Sequence, residues 1–109
     1  MAYDDGIVVE YLRKAHETSD LTDREKHLVG LAVTLTRGCQ VCTRSRIEKA
    51  RAAGIGDEAL NALVAVVAAV NAGVSAATAR EGFRMLDEAA AADEPCEDLC
   101  AAGTGPGRA

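Results

Sequence analysis

Apolar residues recur three and four positions apart along almost the whole chain, a period that suits helices and leaves no alternating stretch for a strand. Glycine and proline interrupt the pattern at intervals that suit helices of ordinary length. The expected fold class is therefore all-α: a single helical domain of about five helices over residues 1–94, assembling as a homo-oligomer. A short tail, 95–109, lacks the apolar mass to fold alone and is expected to be flexible. The first helix is predicted from about Asp4 to Glu17, with Ile7, Val8, Tyr11, Leu12 and Ala15 on one face. A second opens with a capping box at Thr22 and Glu25 and stops at Gly38, and a third runs from about Cys39 to Ala53 before Gly54. A fourth, Ala59 to about Asn71, is apolar nearly all round and is expected to line a subunit interface, the bland alternative being a central core helix. Gly73 is read as a break and Ser75 as the cap of a fifth helix, Ala76 to Ala92, with Ala79, Phe83 and Leu86 inward.

Size and composition limit the rest. At 109 residues, with 49% hydrophobic side chains and only Tyr3, Tyr11 and Phe83 aromatic, the apolar mass is Ala, Val and Leu. Such a core has few bulky anchors, and association with further copies would help it. A net charge of −5 disfavours nucleic acid and anionic membranes as partners. No N-terminal stretch pairs a basic start with an apolar run, and none reaches the length of a membrane span, so the expected location is the cytoplasm.

Cys39 and Cys42 form a Cys-x-x-Cys directly after Gly38, where one helical pattern ends and the next begins. This spacing at a helix N-terminus brings two sulfurs within disulfide reach and lets the exposed N–H groups stabilise a thiolate. Arg37, Arg44, Arg46, Lys49 and Arg51 make the neighbourhood locally positive on an acidic chain. An oxidisable dithiol is the favoured reading. Half of a zinc site, a structural disulfide and two buried hydrophobes are the competing ones. A second pair, Cys96 and Cys100, is spaced Cys-x-x-x-Cys around Glu97 and Asp98. It could relay electrons to the first pair, complete a soft metal site to which His27 could add nitrogen, or have no role. No motif calls for an organic cofactor.

Three stretches, Glu25 to Val33, Gly38 to Cys42 and Ile47 to Gly54, resemble the carboxymuconolactone decarboxylase family, and within it the alkyl hydroperoxidase D type. The resemblance runs from about Thr22 to Glu88. It implies an all-helical domain whose members commonly assemble as trimers or hexamers, and a peroxide or disulfide as substrate with a protein or small-thiol reductant. In the family's redox-active members the second cysteine attacks peroxide and the first resolves the sulfenic acid, so the resemblance implies Cys42 as attacking and Cys39 as resolving thiol. Those members also carry a Glu twelve residues before the first cysteine and a His four residues after the second, which together relay a proton. Here His27 and Arg46 occupy those two positions. A guanidinium can clamp a thiolate or a substrate anion but cannot take up a proton, whereas imidazole is the side chain that exchanges protons near neutral pH. The expectation is thus a swapped pair, with His27 as base, Arg46 as clamp and Glu25 or Glu48 orienting them; the bland alternative makes His27 an ordinary half-buried residue and Arg46 a surface partner of Glu48 or Asp87. A small anion held by Arg44 and Arg46 is a further possibility for the substrate. Two other functions compete: a metal-binding or redox-sensing module using all four cysteines, and a carboxymuconolactone-type decarboxylase, against which the Cys-x-x-Cys counts.

Overall fold

The computed structural model describes residues 2–92, and among them the secondary structure is wholly helical. Four helices follow one another: α1 Gly6–Ala15, α2 Asp23–Arg37, α3 Gln40–Ala52 and α4 Asp57–Ala92. The chain divides into two compact units, Met1–Val70 and Asn71–Ala109. The expected tail and the Cys96–Cys100 pair lie outside the described residues.

The first unit is built on the α2–α3 hairpin. Thr22 caps α2 as its spacing predicts: the Glu25 N–H donates to the Thr22 hydroxyl at 3.1 Å and the Thr22 N–H donates to the Glu25 carboxylate at 2.8 Å. Gly38 and Gly54 take the left-handed backbone conformation, with φ of 77° and 89°, that side chains other than glycine rarely adopt. Each ends a helix in the same way. The Gly38 N–H donates to the Leu35 carbonyl and the Cys39 N–H to the Thr34 carbonyl, while Gly54 and Ile55 repeat that double bond on Arg51 and Ala50. The second of these turns buries Ile55 beside Ala50, where Leu31 and Leu60 complete a small core flanked by Leu28, Leu35, Ile47, Ala59 and Leu63. Arg51 at the end of α3 reaches across the turn and grips both oxygens of Asp57 at 2.8 and 3.1 Å, fixing the first turn of α4. That carboxylate raises the guanidinium above its ordinary range.

Three expectations change. The fourth and fifth helices are one. Gly73 lies inside α4 without a positive φ, and Ser75 is an interior residue rather than a cap. A helical glycine costs only about 1 kcal/mol relative to alanine, and the surrounding alanines are the strongest helix formers. Joined in this way, α4 is long and apolar enough to cross a membrane by length and composition, with a window of mean hydropathy 1.9, where the reading with a break at Gly73 predicted none. On the apolar face of α1 Tyr11 is 75% exposed, and the residues predicted inward on the last helix are also open, with Phe83 and Leu86 of the second unit 70% and 64% exposed. In that unit Arg84 bridges Glu81 and Glu88 along the helix, and its hydrogen bond holds the Glu81 carboxyl below the usual carboxylate range.

Candidate functional site

Cys39 does two jobs at the α2–α3 turn. Its N–H closes the end of α2, and its sulfur caps α3 by accepting the Cys42 N–H at 3.2 Å. That geometry places Cys42 one helical turn on, with a Cα–Cα separation of 5.4 Å, and the two sulfurs are joined as a disulfide. Cys42 is exposed and Cys39 half-buried. A thiolate on Cys39 would sit where the free N–H groups and dipole of α3 favour negative charge. Next to the pair, the Thr43 hydroxyl donates to the Thr34 hydroxyl at 3.1 Å, which donates to the Leu31 carbonyl at 3.0 Å. This two-hydroxyl link pins the start of α3 to α2. An open cavity of about 390 Å³ beside it is lined by Leu35, Cys39, Thr43, Arg44 and Ile47.

Arg46 and His27 meet elsewhere. Both line a cavity of about 490 Å³, together with Lys26 and Lys49. The hairpin is antiparallel, with Gly30 against Arg46 and Thr34 against Thr43, so about 15 Å of helix rise separates His27 from the end of α2. Arg46, one turn beyond Cys42, lies between the two. Its guanidinium is laid flat on Gly30, so closely that a Cβ there would fall 2.6 Å from Nη1. The structure thus places His27 and Arg46 on the wall of one cavity and Cys39 at a different one.

The expected orienting carboxylates are engaged elsewhere. Glu25 is held in the capping box and Glu48 faces Arg44 at 4.0 Å. Arg44 and Arg46 do not converge on one anion, because Arg44 lines the cavity beside Cys39. Sequence reasoning missed Gly30, Lys26 and the Thr34–Thr43 link. A glycine in mid-helix with a long cation one hairpin layer away was the available signal for the first. Among the described residues no three His, Cys, Asp or Glu side chains gather as a metal site; Cys96 and Cys100, the alternative metal ligands, fall outside them.

The profile of the carboxymuconolactone decarboxylase family matches residues 7–94, which spans all four helices. The chain belongs to the carboxymuconolactone decarboxylase family. No curated protein and no solved structure gives a significant match. Membership carries the all-helical fold, and it leaves both the decarboxylase type and the alkyl hydroperoxidase D type open as functions.

Proposed function

We propose that this family member is a thiol-dependent oxidoreductase of the alkyl hydroperoxidase D type, reducing a peroxide or a disulfide. The observation that carries the reading is the Cys39–Cys42 disulfide at the N-terminus of α3, with Cys42 the exposed sulfur. With a hydroperoxide, the Cys42 thiolate attacks the terminal peroxide oxygen; the O–O bond breaks, and with a proton the alcohol leaves as Cys42 becomes a sulfenic acid. Cys39 then attacks the Cys42 sulfur, forming the disulfide and releasing water. A dithiol reductant, protein or small molecule, restores both thiols by attacking the exposed Cys42 sulfur and expelling the Cys39 thiolate, which the Cys42 N–H and the α3 dipole favour as leaving group. In this reading Arg46 supplies positive charge one turn from Cys42, and because His27 lines a different cavity from Cys39, the proton is exchanged with solvent at the exposed Cys42 rather than with His27. The open apolar residues of α4, with Ile7 and Tyr11 of α1, are assigned to contacts between copies in a homotrimer or homohexamer.

The test is peroxide consumption, with intact mass and metal analysis, on protein taken from the reduced to the oxidised state. Cys42→Ser is expected to lower turnover at least a hundredfold. Cys39→Ser should complete the first step and stall with one sulfenic acid, trapped by dimedone on Cys42. Full turnover in both variants, or stoichiometric zinc on thiols that resist oxidation, would overturn the reading.

A further inference from the structure

Arg46 is half-buried, and no carboxylate pairs with it among the described residues. That is costly for a guanidinium, which has five N–H donors and loses hydration where it lies on Gly30. The surrounding charges do not relieve it. Arg13 is taken by Glu10 and Glu17, and Lys26 donates to the His16 carbonyl at 2.7 Å. The one acid on the cavity wall, Asp23, stands 3.9 Å from Lys26 with its side chain 96% exposed. The cavity wall therefore carries an excess of positive charge, with Arg46, Lys26 and Lys49 against the single acid Asp23 once Arg13 is paired.

Arg46 also lines a second cavity, of about 280 Å³, and this one is apolar. Leu12, Leu21, Val29 and Val33 form its wall. The two cavities share Leu12, His16, Lys26 and Arg46, so one cationic edge borders an apolar hollow. A water molecule takes roughly 30 Å³ in the liquid, and the hollow has room for a chain of several carbons. Inorganic anions would satisfy the cations and leave the apolar wall wet. A neutral hydrocarbon would do the reverse.

We propose that the cavity between α1 and α2 binds a small amphipathic carboxylic acid, with its carboxylate on the Arg46 guanidinium and its hydrocarbon body against Leu12, Leu21, Val29 and Val33. The fork of the guanidinium matches a carboxylate with two parallel N–H···O bonds, and Lys26 adds positive charge beside it. Gly30 is part of the site, because only the missing side chain lets the guanidinium lie where both cavities reach it. The inference rests on the reading of Arg46 as an anion clamp, and it concerns binding alone.

The experiment is calorimetric titration of the oxidised protein with octanoate, without peroxide or thiol, so that its outcome is separate from that of the dithiol chemistry. Octanol and acetate serve as comparison probes. Octanoate is expected to bind saturably, with each comparison probe at least tenfold weaker. Arg46→Gln should weaken octanoate at least tenfold while leaving octanol unchanged, which also reports that the apolar hollow is still folded. Val33→Glu, at a half-exposed helix position, places a carboxylate in the cavity and should abolish octanoate binding even if Arg46→Gln does not fold. Equal binding of octanoate and octanol, undiminished binding in either variant, or no saturable binding at all would overturn the proposal.

Discussion

Gly30 shows how one missing side chain can position another. A Cβ at this position would lie 2.6 Å from Arg46 Nη1, 2.8 Å from Cζ and 3.1 Å from Nε. All three atoms belong to the free end of a flexible side chain, so the guanidinium can swing aside while the helix stays intact. Gly30 is also interior to α2, where alanine is favoured over glycine by about 1 kcal/mol. Gly30→Ala is therefore expected to raise the thermal midpoint by a few degrees, read by circular dichroism, while lowering octanoate affinity. A midpoint that falls instead would mean that Arg46 is locked in place and the substitution overpacks the hairpin. Little of this was legible in the sequence, because a clash across a hairpin depends on register, and register is set by contacts that a periodic pattern does not specify. Cys39 is the opposite case. Its place after Gly38 already announced a helix junction, and its capping of α3 follows from local backbone geometry alone. The separation of His27 from the sulfurs was also hidden, since sequence spacing says nothing about how far along the hairpin a folded-back residue lands.

At the scale of elements, the helix ends follow from backbone conformation and the helix interiors do not. Gly38 and Gly54 end helices because the chain needs a left-handed residue there to turn. Gly73 and Gly82 lie within α4 in ordinary helical geometry, among thirteen alanines in its 36 residues, and pass unnoticed by the backbone. A single sequence shows a glycine in both cases, which is why the break predicted at Gly73 is absent. The two kinds are separable by substitution. Gly73→Ala meets open space and removes an entropic penalty, so it should stabilise by about 1 kcal/mol, or roughly 4–8 °C for a domain of this size. Gly54→Ala also meets open space, yet it forces a Cβ into the left-handed region and should cost about 1–2 kcal/mol. Thermal melts of the two single variants decide it. A destabilising Gly73→Ala would show that the glycine is needed for a close approach by something outside the described residues.

For the whole molecule, the mismatch is between the apolar surface the chain carries and the amount it buries on itself. Among the described residues only Leu31, Ala50, Ile55 and Leu60 are buried, all in the first unit, while Val66 and Val70 on α4 are each 60% exposed and Ile7 on α1 is 86% exposed. Burying a valine or leucine fully contributes about 1.5–3 kcal/mol, so a chain that leaves this many in water forgoes most of its available stabilisation. Other copies of the chain are the cover that the proposed function assigns; a bilayer is the other cover that the length and hydropathy of α4 would permit. The two differ in a measurable way. Sedimentation equilibrium without detergent is expected to give three or six times the 11.3 kDa chain mass, and the thermal midpoint should rise with protein concentration because association stabilises by mass action. Val66→Glu with Val70→Glu places two carboxylates on the open face of α4 and should shift the mass toward 11.3 kDa with a lower, concentration-independent midpoint. A soluble wild-type monomer with a midpoint independent of concentration would refute association, and a chain that needs detergent or partitions into neutral lipid vesicles would assign α4 to the membrane instead.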